Sequence, residues 1–419
     1  MIDVPKVTKE KAILIAVNTR STTRDLVEEH LDELELLAST AGADTVFKII
    51  QDKSSIDPAY FMGKGKAEEI AQLVELNDIN LVIFDDDLSP TQIRNLEKLI
   101  DKKIIDRSGL ILDIFAAHAR TNEAKTQVEL AQLQYMMSRL TRAWTHLSKQ
   151  YGGIGTKGPG ETQIETDRRI IRTRISKLKE KLTKIESQAV TKSMKRKDFL
   201  TATLVGYTNA GKSTLLNLLT GADVLAENKL FATLDSTTRS LEIAKNKNIL
   251  MSDTVGFIRK LPHHLVASFK STLNVVRDAD IILHVIDVSH PFYEDHMRVV
   301  DETLKDLKCE SKIHLKIFNK VDALKNNEKI EFIRNKYSDS ILISAMKGMN
   351  INKLKDELLS IYENNFVEQT LELDINDSKV VSQIHTLADV IDIKYEDTVI
   401  KITYRTDPAN HNKIMRLVK

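Results

Sequence analysis

Cysteine is nearly absent from this chain of 419 residues, which contains only Cys309. A single cysteine excludes an intramolecular disulfide framework and fits a reducing compartment. No group of Cys, His, Asp and Glu has the spacing of a zinc site. No apolar run approaches the roughly 20 residues needed to span a bilayer, and residues 1–11 are too polar for a secretion signal. We therefore expect a cytoplasmic protein without a membrane span.

The charge of the chain is balanced overall but unevenly distributed. Residues 120–198 contain 18 Lys and Arg against 8 Asp and Glu, whereas the whole chain has a formal net charge of +1. A basic segment on an acidic remainder is typical of a protein that docks on nucleic acid. A solvated basic helix face is the alternative, although such a face usually interleaves more acidic residues.

A phosphate-binding loop is predicted at residues 206–213, which read Gly-Tyr-Thr-Asn-Ala-Gly-Lys-Ser. Glycines allow backbone N–H groups to curl around a phosphate chain, and the following helix presents its positive end to it. We expect Lys212 to reach the β- and γ-phosphates and Ser213 to hold Mg²⁺. An apolar strand before the loop and an apolar helix after it give the motif its required context. The predicted nucleotide contacts here are Gly206, Tyr207, Thr208, Asn209, Ala210, Gly211, Lys212, Ser213 and Thr214.

Three later segments, at residues 253–256, 319–322 and 344–345, each follow an apolar strand and complete the pattern of a guanine-nucleotide site. Residues 253–256 read Asp-Thr-Val-Gly, which brings a carboxylate to magnesium through water and the Gly256 N–H to the γ-phosphate. Residues 319–322 read Asn-Lys-Val-Asp, and the Asp322 carboxylate would accept from N1–H and the exocyclic amine of guanine. Adenine has an acceptor at N1, so GTP is favoured over ATP. The predicted contacts here are Asp253, Gly256, Asn319, Lys320, Asp322, Ser344 and Ala345.

A switch loop that carries a threonine to magnesium is predicted at residues 231–239. Thr233 is the preferred magnesium ligand, and Thr237 and Thr238 are weaker candidates. Together with Lys212 and Gly256, Thr233 forms the predicted catalytic set.

Phe257 stands where many GTPases have a glutamine that orients the attacking water. A phenyl ring cannot hydrogen-bond to that water, so we expect slow intrinsic hydrolysis that a partner accelerates by completing the site. Asn209 resembles the asparagine of GTPases that bind K⁺ in the place of an arginine finger. The alternative for Asn209, a side chain that only braces the switch loop, stays open.

The predicted fold class is α/β with four domains. Residues 1–108 form a small parallel βα domain, 109–198 a long antiparallel helical hairpin with a glycine-rich loop, 199–365 a P-loop GTPase domain and 366–419 a small α+β domain. In the first domain, apolar strands at 12–17, 45–50, 81–84 and 103–105 alternate with helical patterns at 24–39, 66–76 and 92–99. In the last, a helical stretch at 380–391 precedes a half-buried strand at 398–404.

The hairpin prediction rests on apolar residues that recur every three or four positions in two runs. A capping box at Thr162 predicts the start of the second helix. Between the two helices, residues 151–160 contain five glycines. The two apolar seams are Leu130, Leu133, Met137, Leu140, Trp144 and Leu147, and Ile164, Ile171, Ile175, Leu178, Leu182 and Ile185.

With these parts in order, the chain resembles the HflX family of ribosome-associated GTPases over nearly its full length. The most specific match is Gly-Pro-Gly-Glu-Thr-Gln-Ile-Glu-Thr-Asp-Arg-Arg at residues 158–169, which precedes the phosphate-binding loop. Further matches are Gly-Lys-Gly-Lys at residues 63–66 and the runs at 84–92, 106–115, 127–133, 205–213 and 253–257.

The resemblance implies that the hairpin reaches into the large ribosomal subunit, with residues 152–160 near the peptidyl-transferase region, and that the protein splits stalled or idle ribosomes. It implies GTP and GDP, Mg²⁺ and the RNA of that subunit as ligands, and we expect a monomer. Assistance to ribosome assembly or RNA modification is one alternative, and an anti-association factor with little turnover is another. Many members have arginine at the position of Lys157. The predicted RNA contacts are Gly153, Gly155, Lys157, Gly158, Arg168, Arg169 and Arg172.

Overall fold

The computed structural model describes residues 9–19, 22–143, 159–194, 199–221, 230–231, 236–244, 247–261, 270–364, 366–375, 377–396 and 398–418. The chain divides into two compact units. The first comprises Met1–Glu186, Ala226–Asp235 and Val255–Leu273, and the second comprises Ser187–Leu225, Ser236–Thr254 and Asn274–Lys419. Two segments from the P-loop part of the sequence therefore belong to the first unit.

The first unit is built on a four-stranded parallel sheet in the order β2-β1-β3-β4. Residues 12–17 of β1 and all of β3 are apolar and buried, as is typical of the central strands of a parallel sheet with helices on both faces. This α/β alternation confirms the predicted elements. The strands are β1 (Glu10–Thr19), β2 (Ala43–Lys53), β3 (Leu81–Phe84) and β4 (Lys103–Asp106), and the helices between them are α1 (Arg24–Thr40), α2 (Lys64–Leu76) and α3 (Pro90–Ile100).

Helix α4 (Arg107–His118) follows β4 without a linker. Asp106 caps it, since its Oδ1 accepts from the Gly109 N–H at 2.9 Å. The helix runs through residue 108, where the first domain boundary was predicted, and the four-domain division stays a prediction.

The hairpin consists of α5 (Asn122–Ala143) and α6 (Pro159–Met194). Leu130, Ile175, Leu178 and Leu182 form a buried cluster with Leu133, Met137 and Ile171 packed against it, which confirms the predicted seam. The start predicted at Thr162 is wrong: α6 begins at Pro159, because proline is well suited to a first helical turn. Trp144 and Leu147, and the side chains of Leu140 and Ile164, lie outside the described residues.

The P-loop part contains a six-stranded sheet in the order β10-β9-β8-β5-β7-β6, parallel except for β6. The sequence prediction included β5, β7, β9 and β10 but neither β6 nor β8. The strands are β5 (Leu200–Val205), β6 (Thr237–Ala244), β7 (Lys247–Asp253), β8 (Ile281–Asp287), β9 (Ile313–Asn319) and β10 (Ile341–Leu342). The helices are α7 (Lys212–Thr220), α8 (Lys270–Asp278), α9 (Tyr293–Asp306), α10 (Asn327–Lys336) and α11 (Ile351–Asn364).

The C-terminal part is an antiparallel sheet, β11-β13-β12, covered by two helices. Its core contains Leu371, Ile384, Ile402, Tyr404 and Ile414, which confirms the α+β prediction. The predicted helix at 380–391 is too long, because α12 ends at Leu387 and residues 389 and 390 pair with β13 instead. The elements are β11 (Val367–Asp374), α12 (Ser378–Leu387), β12 (Asp389–Tyr395), β13 (Val399–Thr406) and α13 (Pro408–Leu417). Among the described helices, none combines the length and apolar composition needed to cross a bilayer.

Candidate nucleotide-binding site

The predicted phosphate loop joins β5 to α7, and two of its glycines are required by their surroundings. A Cβ atom on Gly206 would lie 2.2 Å from the carbonyl oxygen of Val285 in β8. Gly211 has φ +92°, and a Cβ atom there would lie 2.3 Å from Asn319 Nδ2. Asn209 also has a left-handed backbone, at φ 60°, which asparagine tolerates better than most residues. The loop therefore lies so close to the backbone of β8 and the side chain of Asn319 that a larger residue at either glycine would clash.

Lys212 is buried at the start of α7, where its Nζ donates to the carbonyl oxygens of Gly206 at 3.1 Å and Tyr207 at 2.8 Å. Burial lowers the pKa of Lys212 to about 8, although the carboxylate of Asp253 opposes that shift. The ammonium group thus lies inside the loop, within reach of a bound phosphate chain. The Thr208 hydroxyl is buried in the same loop and has no hydrogen-bond partner in the part of the chain that the structure describes.

Two of the predicted magnesium ligands, Ser213 at the start of α7 and Asp253 at the end of β7, lie together. The Ser213 hydroxyl donates to Asp253 Oδ2 at 2.5 Å, and Asp253 is completely buried. The Thr254 hydroxyl donates to the Leu204 carbonyl at 2.7 Å and fixes the chain as it leaves the strand. A hydroxyl oxygen next to a buried carboxylate is a donor set that fits Mg²⁺, which prefers hard oxygen ligands.

Asn319 connects two loops of the site. Its Nδ2 donates to the Ala210 carbonyl at 2.9 Å, and its Oδ1 accepts from the Ala345 N–H at 2.9 Å. The side chain is almost fully buried, so both hydrogen bonds are formed away from water. Asn319 therefore holds the phosphate loop against the loop of Ser344 and Ala345, a bracing role that the motif alone did not indicate.

Lys320 and Asp322 lie on the turn that follows β9. Lys320 adopts a left-handed backbone with φ 64°, and its Nζ lies 2.6 Å from Asp287 Oδ2 at the end of β8. Asp322 is exposed in the short 3₁₀ turn Val321–Ala323, which leaves its carboxylate accessible to a base. Sequence reasoning missed Asp287, although its position at the end of an apolar run was the same signal that revealed Asp253.

In the second unit, the structure brings together the predicted nucleotide contacts at positions 206–214, 253, 319–322 and 344–345. Gly256 and Phe257 are buried in the first unit. On the hairpin, Arg169 and Arg172 are exposed and Arg168 is half-buried. Of the weaker switch candidates, Thr238 lies in β6, and its hydroxyl is 2.9 Å from that of Ser252. Thr233, Gly153, Gly155, Lys157 and Gly158 lie outside the described residues.

An aromatic stack next to the phosphate loop was also missed. The ring of Tyr207 lies parallel to that of His296 in α9, with centroids 3.8 Å apart and an interplanar angle of 3°. The ring of His290 is 4.4 Å from that of His296. No local pattern around Tyr207 signals this contact, because its partner comes from a helix almost 90 residues later.

The pKa of Lys212 predicts a proton uptake that accompanies nucleotide binding. The phosphate oxygens of a bound triphosphate would raise the pKa of Lys212 from its value of about 8. Above that value the free protein has a largely neutral lysine and the complex a charged one, so affinity falls by up to about tenfold per pH unit. Below it, the lysine is charged in both states and little proton uptake is expected.

Calorimetric titrations at about pH 7 and about pH 9, each in two buffers of different ionisation enthalpy, measure this uptake. The Lys212→Arg variant is the control, because a guanidinium stays charged throughout. Uptake of the same size at both pH values would contradict the assignment to Lys212.

Comparisons with known proteins match most of the chain. Three family descriptions match successive parts: "GTP-binding GTPase N-terminal" at residues 28–116, "GTP-binding GTPase Middle Region" at 118–196 and "50S ribosome-binding GTPase" at 201–320. The chain is 51% identical over 326 residues to a GTPase HflX of Flavobacterium psychrophilum, covering 78% of this chain and 79% of that protein. It is 42% identical over 403 residues to a GTPase HflX of Magnetococcus marinus, covering 96% and 93%.

Among solved structures, the chain is similar to a GTP-binding protein from the archaeon Sulfolobus solfataricus in complex with GDP. The identity is 24% and the TM-score 0.45, with 84% of this chain and 98% of that chain covered.

Proposed function

This chain belongs to the HflX family of GTPases, and on that premise we propose that its GTP-bound form binds the large ribosomal subunit and separates stalled or idle ribosomes. The chain is a GTPase, and we propose that residues 206–214, 253, 319–322 and 344–345 of the second unit bind its nucleotide together with Gly256 of the first. One observation supports the ribosomal partner beyond the family: an exposed, basic helix α6 with side chains that no acidic residue in the described part of the chain neutralises.

Four basic side chains of α6 carry that argument. Arg169, Arg172, Lys177 and Lys179 are exposed, and none has an acidic partner among the described residues. By contrast, Arg174 of the same helix is paired with Glu129 of α5 at 2.6 Å. Uncompensated cations along a helix attract the phosphates of RNA, and counterion release makes such binding dependent on salt. We propose that Arg168, Arg169 and Arg172 contact ribosomal RNA together with Gly153, Gly155, Lys157 and Gly158.

The nucleotide chemistry follows from the positions of the site residues. Lys212 would bind the β- and γ-phosphates, and Asp322 would bind the guanine base in the plane of its N1–H and amine. Ser213, Asp253 and Thr233 would hold magnesium, which neutralises the charge that develops on the transferred phosphate. The Gly256 N–H would bind the γ-phosphate, and Asn319 positions the phosphate loop for these contacts.

Phe257 supports the proposal that a partner completes the active site. Its ring is only 2% exposed in the first unit, and it has no group that could orient a water molecule. Intrinsic turnover is therefore slow in this proposal, and the large subunit supplies or positions the missing group. A K⁺ ion bound by Asn209 would contribute positive charge at the same step.

Splitting of ribosomes needs no energy source other than differential affinity. A ligand shifts an equilibrium only as far as it binds one state better than the other. If the GTP form binds the free large subunit and excludes the small one, binding favours the separated state. Hydrolysis then releases the factor. A weak GTPase that only prevents reassociation is the alternative, and Phe257 is compatible with it because slow turnover is expected in both cases.

The test is GTP turnover by the full-length protein with and without large ribosomal subunits. We expect a rise of about tenfold or more with subunits, equivalent to about 1.4 kcal/mol off the barrier. Faster turnover in K⁺ than in Na⁺ would support the potassium site at Asn209, and equal rates would contradict it. If subunits leave turnover unchanged but still bind, the anti-association alternative replaces the proposal.

Charge removal on α6 tests the RNA contact separately. Arg169→Gln combined with Arg172→Gln should weaken binding to the large subunit. The slope of log affinity against log salt concentration should fall by the contribution of about two phosphate contacts. Basal turnover should not change. Lys98→Gln combined with Lys102→Gln is the matched control, since both lysines are exposed in the first unit. An equal loss in both double variants would mean that net charge, and not the position on α6, controls binding.

A further inference from the structure

The first unit contains a buried cluster of acidic side chains at the end of its central strands. Glu33 of α1 is 6% exposed and Asp85, directly after β3, is 1% exposed. Between them lies the fully buried guanidinium of Arg107, which donates to Asp85 Oδ1 at 2.7 Å and also to Glu33. Asp86 extends the cluster towards solvent. Three carboxylates around one guanidinium leave an excess of negative charge that is costly to bury.

That excess is compensated by two residues from the segment after Asp253. Lys260 Nζ donates to Asp85 Oδ2 at 2.7 Å and also donates to Asp86. Arg259 Nε lies 3.4 Å from Glu33 Oε1. With Arg107, Arg259 and Lys260, the cluster has three cations for three carboxylates. Lys260 keeps this position despite a left-handed backbone with φ 51°, which persists only where surrounding contacts fix it.

Lys260 reaches the place in the sheet where α/β folds usually bind a ligand. From β1 the chain adds β2 on one side of the sheet and β3 and β4 on the other, so the order of connection switches between β1 and β3. Crevices at such switch points bind ligands outside the carboxyl ends of the strands. Asp85 lies at this point, because its N–H donates to the carbonyl of Ile15 in β1 at 2.9 Å. The lysine side chain of the protein itself is thus bound in the position of a ligand.

A second segment from the P-loop part is held in the same unit. Phe231, at the start of the predicted switch loop, is 3% exposed and packs edge-to-face on Phe115 of α4, with ring centroids 4.6 Å apart. Its carbonyl oxygen lies 3.0 Å from His118 Nδ1. Both segments that a GTPase moves in response to the γ-phosphate are therefore anchored on the first unit.

The cluster is joined to the hairpin through Asp106, the residue before Arg107. Asp106 Oδ2 accepts from the N–H of Leu88 at 3.1 Å, in the loop that begins with Asp85. Its Oδ1 accepts from the Tyr135 hydroxyl of α5 at 2.5 Å, and Arg139 of α5 is also paired with it. The short segments 85–88 and 106–107 thus contact the Lys260 segment on one side and α5 on the other.

We propose that Lys260 is a positioning residue that couples the segment after Asp253 to the hairpin, through Asp85, the 85–88 loop and Asp106. Movement of Lys260 away from Asp85 and Asp86 leaves two cations for three carboxylates in a largely buried cluster. Arg107 and the 85–88 loop must then rearrange, and the hydrogen bonds that Asp106 forms to Leu88 and Tyr135 change with them. A change at the γ-phosphate thereby alters how firmly α5 is held.

Hydrogen exchange of the full-length protein with GDP and with a non-hydrolysable GTP analogue tests this coupling. We expect amide exchange in α5 to differ between the two nucleotides in the unmodified protein. In Lys260→Glu that difference at α5 should fall at least threefold, while the dissociation constants of both nucleotides stay within about twofold. Asp86→Lys added to Lys260→Glu should restore the difference, because it re-forms the ion pair with reversed charges.

Tyr135→Phe interrupts the path at its other end and leaves the Lys260 contacts in place. It should reduce the nucleotide-dependent change at α5, where Arg139 still pairs with Asp106, while the change in residues 255–261 remains. Lys102→Gln, at an exposed lysine of the same unit, is the control and should behave as the unmodified protein. A full difference at α5 in Lys260→Glu, or no difference in the unmodified protein, would overturn the proposal.

The inference rests on the proposed function in treating the hairpin as the part that meets the ribosome and the segment after Asp253 as the part that responds to the γ-phosphate. The exchange experiment contains no ribosomal component, so the two proposals fail separately. Coupling without subunit binding would leave Lys260 assigned and the partner wrong. Subunit binding without coupling would leave the partner and remove the role of Lys260.

Discussion

Asp322→Asn is expected to weaken GTP binding by about 100-fold to 10,000-fold without changing the fold. The carboxylate would accept two hydrogen bonds from guanine, and hydrogen bonds to a charged group are worth about 1.5–3 kcal/mol each. An amide in its place has one acceptor and presents a donor to the guanine amine, which is itself a donor. Because Asp322 is exposed, its replacement leaves no buried group unpaired.

The same variant should gain affinity for xanthosine triphosphate, because xanthine has a carbonyl oxygen where guanine has its amine. The amide of the new asparagine can donate to that oxygen and accept from N1–H. Titration of both variant and unmodified protein with fluorescent GTP and xanthosine triphosphate measures the exchange of specificity. Asp356→Asn, an exposed site on α11, is the control. GTP affinity within threefold of the unmodified protein would show that Asp322 does not bind the base.

Arg107→Leu is expected to destabilise the first unit by about 3–5 kcal/mol, since removal of one partner from a buried ion network leaves uncompensated charge. Asp85 and Glu33 would then face each other without the guanidinium that lies between them. Leucine cannot supply the lost charge, although it replaces part of the volume.

Amide exchange in β3 and β4, measured against urea concentration, reports this loss locally and avoids treating a two-unit protein as one transition. The exchange rates of these strands should rise by about 100-fold or more, which is the factor that corresponds to about 3 kcal/mol. The amides of β8 and β9 in the second unit serve as the internal control. Unchanged protection in β3 and β4 would mean that the network contributes little to stability.

The sequence predicted that Asp253 and Asn319 follow strands, because each motif depends on spacing along the chain. Asp253 and Asn319 both end strands, and carboxyl ends of parallel strands converge at one edge of a sheet. The hydrogen bond of Asn319 to Ala210 is different, since the two residues lie 109 positions apart and nothing in their residue types predicts the contact. The sequence alone therefore could not predict that Asn319 braces the phosphate loop.

The same reason explains what sequence reasoning missed in the first unit. Lys260 and Asp85 are 175 positions apart, and neither lies in a motif that requires the other. The Asp-Asp-Asp run after β3 contributed to the family resemblance, but its partners could not be derived from it. The helix limits at Pro159 and Leu387 were missed for a local reason, because helix ends depend on competition between capping, proline and strand pairing.

The anchoring of Phe231 and Lys260 on the first unit determines how the protein can be divided in the laboratory. A fragment cut at residues 199 and 365 would retain every nucleotide motif of the sequence. It would also carry Phe231 away from Phe115, and Arg259 and Lys260 away from Glu33 and Asp85. Such a fragment exposes an aromatic side chain and two cations that are otherwise covered or paired. Kinetics measured on it would describe a protein with released switch segments, and the smallest piece that retains their native contacts is one that includes both units.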